Sequence, residues 1–251
     1  MIASPRPCPE CAAPLPPRYR ICDSCLEKRH AAKRAEAAVT AKTQKTTQKA
    51  APAPESSNPG EILVAFRGPF SWTGASDCPS VYDVAESRAF GIYLFTVPLP
   101  EGYLIYYVGE TGSSFRERLP EHRREHYRAT YEVCSAAGLA RGERVVLWPG
   151  HFGRNRKPLE ECLANRERLS EPIREMISIF RLFLAPLSCD TRLRRRIEAA
   201  IAHSVRGVPG NIGAFQDPGV RHRPKKENEE PIECVASSPV SLLGLPERFL
   251  A

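Results

Sequence analysis

The chain has 251 residues, 42% of them hydrophobic and 26% charged, and its formal net charge is +7 at pH 7. This length suits one moderate domain with an accessory module. An apolar run of roughly 18 residues or more would indicate a transmembrane helix, and the sequence contains none. Residues 1–8 also lack the apolar stretch of a secretion signal. We therefore expect a cytoplasmic protein in a reducing environment, with no membrane partner.

The positive charge is concentrated in the N-terminal part. Residues 1–49 carry ten lysines and arginines against four acidic residues, so they supply +6 of the net charge. A basic segment gains affinity for polyanions by releasing counterions. The same composition also suits a lysine-rich solvated linker, so the charge alone does not identify a partner.

Four of the nine cysteines form two close pairs, Cys8-Pro9-Glu10-Cys11 and Cys22-Asp23-Ser24-Cys25. Two thiolates three residues apart can share one metal ion, and a second pair completes the tetrahedron of a structural zinc site. Two disulfides or a redox dithiol are the alternatives, but a chain without a secretion signal favours Zn2+. The segment resembles a zinc ribbon. Whether such a module contacts DNA, contacts protein or tethers the domain stays open.

Composition divides the chain into three regions. We expect a zinc-ribbon-like module over 1–26, a basic linker over 27–58 and a folded body over 60–251. The second half of the linker is rich in Thr, Gln, Lys, Ala, Pro and Ser and has almost no apolar residue to bury. Such a segment cannot offset the entropy lost on folding, so we expect it to be disordered and flexible.

The body is predicted to combine short strands with amphipathic helices. Apolar runs predict strands over 62–66, 91–97, 103–109 and 144–148, with a small edge strand over 232–235. Ser114 and Glu117 match a capping box, which begins a helix. Further helices are predicted over 159–184, interrupted near Pro172, and over 190–206, capped by Asp190 or Thr191. The fold class is therefore α/β (α+β), with a small, mainly antiparallel sheet flanked by helices.

Two of the strands are joined by turn residues, Leu99 to Gly102, and so form a hairpin. Opposed residues of this hairpin have numbers that sum to about 200–202. Tyr93 and Tyr107 sum to 200, so we expect them to face one another or nearly so, on one face of the sheet. Arg118 and His122 are four residues apart and adjacent on one face of the next helix. Two phenols, a guanidinium and an imidazole can therefore converge.

The order of these residues resembles the GIY-YIG nuclease superfamily. Gly91-Ile92-Tyr93 opens the hairpin, Tyr107-Val108-Gly109 closes it, and Arg118 and His122 follow on a helix. The resemblance covers about residues 90–215. It implies that Tyr93 is a general base or water-orienting phenol, that His122 relays its proton, that Tyr107 positions water or phosphate, and that Arg118 neutralises the scissile phosphate.

A metal ligand and a further polar residue complete the resemblance. Family members carry a glutamate on a later helix and an asparagine shortly after it, which Glu198 and Asn211 match. Glu198 would bind one Mg2+ or Mn2+, for which a carboxylate oxygen is a suitable donor, and Asn211 would orient the backbone around the site. Four arginines crowd the start of the Glu198 helix, either as a charged face or within reach of DNA phosphates: Arg192, Arg194, Arg195 and Arg196.

Some features depart from the family pattern. Pro120 lies between Arg118 and His122, where it removes a backbone donor and should kink or restart the helix. The third motif reads Tyr-Val-Gly. The stretch from Arg118 to Glu198 is long and holds extra helices.

These features predict a metal-dependent endonuclease that cuts DNA, with the zinc ribbon and basic linker raising affinity for the substrate or a partner. A non-catalytic nucleic-acid-binding or adaptor protein on a nuclease-like fold is the alternative from a different class. An RNA-directed nuclease is a third reading, because nothing in the sequence separates DNA from RNA. The retained set of chemical groups argues against a decayed site. The cut sequence, the biological role and the oligomeric state stay open.

Overall fold

The computed structural model describes residues 60–152, 155–217 and 222–251, together with two short N-terminal strands that pair antiparallel, β1 (Arg6–Pro7) and β2 (Pro14–Leu15). The chain divides into two units, Met1–Pro52 and Ala53–Ala251. The predicted zinc ligands and the predicted linker lie outside the described residues and stay predictions: Cys8, Cys11, Cys22, Cys25 and residues 27–58.

A five-stranded sheet forms the centre of the second unit. Its strands are, in spatial order, β11 (Leu242–Leu243), β6 (Gly102–Thr111), β5 (Gly91–Leu99), β9 (Arg181–Pro186) and β4 (Arg67–Ser71). All neighbours are antiparallel except β11 and β6. A three-stranded sheet has the order β12 (Arg248–Leu250), β10 (Glu233–Ser237) and β3 (Ile62–Ala65). A separate pair consists of β7 (Val133–Cys134) and β8 (Val146–Trp148).

Six α-helices lie among the described residues: α1 (Phe115–Tyr127), α2 (Ala136–Leu139), α3 (Leu159–Asn165), α4 (Ser170–Ile179), α5 (Thr191–Gly207) and α6 (Asn211–Phe215). A 3-10 turn spans Ala85–Arg88. None of the described helices is long and apolar enough to cross a membrane. The predicted mixed α/β class, with a mainly antiparallel sheet and flanking helices, is confirmed.

The five-stranded sheet carries an apolar layer on each face. Along β5, Tyr93 and Phe95 pack into the cluster that contains α1 and α4, whereas Ile92 and Leu94 pack into the cluster that contains α5 and the three-stranded sheet. Full burial of one such side chain contributes about 1.5–3 kcal/mol. Since β5 is buried at every position from Gly91 to Val97, it is the central strand on which both layers depend.

The predicted helix over 159–184 is wrong at both its break and its end. The break falls between Asn165 and Ser170, and Pro172 lies in the first turn of α4, where a missing N–H costs no hydrogen bond. The last residues form β9, which pairs with β5 on one side and β4 on the other. A short buried apolar run has no periodicity that distinguishes a helix from a strand. Pairing with distant strands therefore determines that this segment is a strand.

Two smaller predictions also change. The strand predicted over 232–235 is β10, and it is the middle strand of its sheet rather than an edge, since it pairs with both β3 and β12. The helix predicted over 190–206 is α5, and of its two candidate caps Asp190 is the one used. The Asp190 carboxylate accepts hydrogen bonds from the backbone N–H groups of Arg192 and Leu193.

Helix α1 runs without a break through Pro120, so the expected restart is wrong. The helix begins at a complete capping box, in which Ser114 and Glu117 each satisfy a backbone N–H of the other. Its apolar side fixes it against the sheet, because Phe115 and Leu119 are fully buried. Cap and packing together outweigh the single hydrogen bond that Pro120 removes, and the face of the helix is continuous up to His122.

Candidate active site

The hairpin brings Tyr93 and Tyr107 to the same face of the sheet. In the observed register Tyr93 pairs with Gly109 and Phe95 pairs with Tyr107, with a bulge after Phe95. The two tyrosines are therefore diagonal neighbours, and their ring centroids lie 6.0 Å apart. The predicted shared face is confirmed. The strands pair here with numbers summing to 202, which lies within the predicted range and makes the two tyrosines diagonal rather than directly opposed.

Two glycines of the motif are required by close packing. A Cβ at Gly109 would overlap the Tyr93 ring and fall 2.6 Å from Tyr107 Cε1. A Cβ at Gly91, which has φ +152°, would fall 2.8 Å from the backbone nitrogen of Leu187. Gly109 therefore lets the two phenols lie over the strand, and Gly91 lets β5 approach the chain that follows β9.

His122 completes a hydrogen-bonded aromatic cluster with the tyrosines. Its Nε2 atom lies 2.6 Å from Tyr93 Oη, and its side chain is almost fully buried. The ring centroid of His122 lies 5.6 Å from that of Tyr107. Burial, with the nearby Arg118 charge, holds the pKa of His122 well below its ordinary value. The imidazole is therefore neutral at physiological pH.

Arg118 lies one helical turn before His122 and is partly open to solvent. Its guanidinium pairs with Glu121 at 2.7 Å, which leaves other donors of the fork available to an anion. Burial raises the pKa of Tyr93 above its ordinary value, and the neighbouring Arg118 offsets part of that rise. Tyr93 is thus a neutral phenol in the resting protein, and additional positive charge is needed to make it a base.

Glu198 belongs to α5, which packs on the face of the sheet opposite to the tyrosines, and its carboxylate lies at the outer edge of β6. Strand β11 pairs with β6 at Tyr103 and Leu104, and further along that edge the backbone N–H of Glu110 donates to Glu198 Oε1 at 3.0 Å. The charge of Glu198 contributes to raising the pKa of both Tyr93 and Tyr107. The Glu198 carboxylate therefore lies near enough to the phenol pair for its charge to disfavour ionisation of both tyrosines.

The Glu198 carboxylate fits a hard divalent cation. One oxygen is held by a backbone N–H, and the other has no hydrogen bond recorded among the described residues. No group of three or more His, Cys, Asp or Glu side chains that could hold a metal occurs in the described part of the chain. A cation with a single carboxylate ligand keeps several waters and can also take phosphate oxygens, which is typical of Mg2+.

Asn211 is placed apart from this cluster. It is the first residue of α6, its side chain is exposed, and its amide lies 3.5 Å from the carbonyl oxygen of Gly142. Gly142 packs beside Leu99, at the turn end of the hairpin, whereas Tyr93 lies towards the opposite end. Tyr93, Tyr107, Arg118, His122 and Glu198 come together, and Asn211 does not join them through any recorded hydrogen bond.

The arginines at the start of α5 make internal contacts. Arg192 pairs with Glu229 at 2.5 Å, and the buried Arg196 donates to the carbonyl oxygens of Glu230 and Ala251. Two others converge on one carboxylate, since Glu110 accepts from Arg194 at 3.4 Å and from Arg195 at 3.1 Å. Arg195 and Arg192 keep 38% and 32% of their side chains open to solvent, whereas Arg194 and Arg196 are buried. Arg194 and Arg196 are therefore held in internal contacts, whereas contact of Arg192 and Arg195 with DNA phosphates stays a prediction.

Sequence reasoning missed three residues around the cluster. The Tyr131 ring packs against His122 with centroids 5.6 Å apart, Glu110 holds two arginines beside Glu198, and His222 lies 3.9 Å from the Glu198 carboxylate. Tyr131 and His222 come from distant segments with no local motif. Glu110 directly follows Gly109, and its position after the third motif was the one signal available.

A scan against protein-family models, a search of curated proteins and a search of solved structures found no match to this chain. The resemblance to GIY-YIG nucleases therefore rests on the motif residues and on the geometry given above.

Proposed function

We propose that the chain is a metal-dependent endonuclease that hydrolyses DNA phosphodiester bonds through a GIY-YIG site. The observation that carries the proposal is the 2.6 Å contact between Tyr93 Oη and His122 Nε2, inside a cluster that also holds Tyr107 and Arg118 and adjoins Glu198. A buried phenol in contact with a neutral imidazole places a proton donor directly beside a proton acceptor. It matches the needs of proton transfer during hydrolysis.

Each residue of the cluster has a separate role in the proposed reaction. Arg118 binds the scissile phosphate through its free donors, since a guanidinium suits phosphate oxygens. Tyr93 orients the attacking water and takes its proton while passing its own hydroxyl proton to His122 Nε2. The anionic phosphate favours protonated His122, because a nearby negative charge stabilises imidazolium. Tyr107 positions the water or the phosphate beside Tyr93.

Glu198 would hold one Mg2+ or Mn2+. The ion, when bound, supplies positive charge to the phosphoryl oxygens and to the leaving alkoxide. In the balanced reaction, water adds its oxygen to phosphorus and the bond from phosphorus to the leaving oxygen breaks. The leaving alkoxide takes a proton from solvent, and His122 returns the proton it received to solvent. Cys8, Cys11, Cys22 and Cys25 would bind Zn2+ in the N-terminal module, which with the basic segment raises affinity for the substrate or a partner.

The test is cleavage of supercoiled plasmid and of structured RNA by the full chain, with Mg2+, Mn2+ or EDTA. We expect nicking of DNA that depends on the ion and that falls at least about a hundredfold in Arg118→Ala and Glu198→Gln. Arg174→Ala and Glu175→Gln, both on exposed positions of α4, are matched controls and should keep wild-type rates. Cleavage in EDTA, or full activity in both site variants, contradicts the proposal.

The same experiment separates the alternatives. Cleavage of RNA without cleavage of DNA assigns the site to RNA. Binding of DNA at low salt with no cleavage of either substrate, at any ion concentration, favours a non-catalytic binding or adaptor role. For the N-terminal module we expect about one zinc per chain by elemental analysis, and loss of that zinc in Cys8→Ser.

A further inference from the structure

His222 lies beside the Glu198 carboxylate oxygen that does not accept from the Glu110 backbone N–H. Its side chain is 3% exposed, and its Nδ1 atom is 3.9 Å from Glu198 Oε2. That nitrogen is buried and has no hydrogen-bond partner among the described residues. An unsatisfied buried polar atom costs about 1–3 kcal/mol. The unpaired His222 Nδ1 atom beside the Glu198 carboxylate therefore points to a ligand bound between these two groups.

We propose that His222 is a second protein ligand of the ion that Glu198 holds, an inference that rests on the proposed function. The 3.9 Å separation is too long for a hydrogen bond. It leaves room for an ion that both atoms would bind with bonds of about 2.1 Å. Glu198 Oε1 already accepts from Glu110 N–H, so Oε2, the oxygen nearer His222, is the one free to bind.

An imidazole ligand changes which ion the site prefers. Mg2+ favours oxygen donors and keeps several waters, whereas a nitrogen donor raises the affinity for first-row transition ions. One carboxylate and one imidazole therefore select Mn2+ over Mg2+. The second histidine nearby, His203, is exposed, and its ring centroid lies 6.0 Å from that of His222 in an edge-on arrangement. It serves as a matched control, since no contact of His203 with Glu198 is recorded among the described residues.

The experiment is Mn2+ binding to the full, zinc-loaded chain without substrate, followed by electron paramagnetic resonance. The signal intensity of unbound Mn2+ in a titration gives the dissociation constant. Pulsed measurements detect magnetic coupling of the bound Mn2+ to an imidazole nitrogen. We expect wild type and His203→Gln to show nitrogen coupling. We expect His222→Gln to lose it and to bind Mn2+ at least about tenfold more weakly, with a smaller loss of Mg2+ affinity measured by competition.

The outcomes separate this inference from the function on which it rests. If Glu198→Gln abolishes Mn2+ binding while His222→Gln leaves affinity unchanged, or if wild-type Mn2+ shows no nitrogen coupling, the role of His222 is wrong and the Glu198 site stands. If Glu198→Gln leaves Mn2+ binding intact, the proposed metal site itself is wrong. The wild-type spectrum is informative even if a variant fails to fold.

Discussion

Replacing Tyr93 by Phe removes a hydroxyl whose partner, His122 Nε2, lies 2.6 Å away in a buried cluster. The ring packing is retained, so the main loss is the hydrogen bond and the satisfaction of a buried nitrogen. Leaving one buried partner unpaired costs about 1–3 kcal/mol. His122→Leu removes the other partner of this hydrogen bond and should cost no more than a similar amount, because Arg118 and Tyr107 also hydrogen-bond to Tyr93. In the double variant neither partner remains, and apolar groups of similar shape replace both.

The double variant should therefore be more stable than the sum of the two single losses predicts. With each single loss at about 1–3 kcal/mol, the coupling should be at least about 1 kcal/mol. The melting temperature of a unit of this size shifts by about 2–4 °C per kcal/mol, so each single variant should melt about 2–12 °C lower. Urea unfolding of the four proteins gives the cycle. Losses that add to within about 0.5 kcal/mol would show that the two groups do not interact.

Three further predictions follow from neighbouring residues. Gly109→Ala should reduce the rate of plasmid cleavage at least about tenfold, because the new Cβ displaces the Tyr93 ring. Gly207→Ala is the control: its Cβ meets no atom within 4 Å, so it should keep the wild-type rate. Burial lowers the pKa of His126 from 6.5 to about 3, so below pH 6.5 the unfolded chain takes up a proton that the folded chain does not. As the pH falls from 6.5 towards about 3, the His126 contribution to the free energy of unfolding should fall by about 1.4 kcal/mol per pH unit. Buried His122 adds a slope of the same sign, so urea unfolding at several pH values should give His126→Leu a slope about 1.4 kcal/mol per pH unit shallower than that of wild type. Pro120→Ala restores a backbone donor to the interior of α1 and should raise the free energy of unfolding by up to about 3 kcal/mol, measured by urea unfolding; a decrease would mean that Pro120 is needed for the helix.

The local part of the site could be predicted from the sequence. The order of Tyr93, Tyr107, Arg118 and His122 falls within one hairpin and one helix, where spacing fixes which side chains share a face. Pro120 was expected to disrupt this arrangement, but the capping box at Ser114 and the buried side of α1 hold the helix together. The sequence therefore predicts the positions of side chains correctly where residues close along the chain determine the geometry.

The remaining features depend on contacts between distant segments. The sequence of β9 favours the end of a helix, but in the structure it is a strand that pairs with β5 on one side and β4 on the other. Asn211 follows Glu198 at a suitable distance along the chain, yet its amide lies beside the hairpin turn. Tyr131 and His222 belong to segments whose approach to His122 and Glu198 no local pattern encodes.

Plasmid nicking by Tyr93→Phe under saturating Mn2+ tests the central claim most directly. The variant keeps the ring, the strand and the Glu198 carboxylate, and it removes only the hydroxyl assigned to the proton transfer. Loss of such a group typically costs about 10²–10⁴ in rate, so we predict a fall of that size, with Tyr127→Phe on the exposed end of α1 unchanged. Equal rates for Tyr93→Phe and wild type, with both proteins folded, would contradict the account.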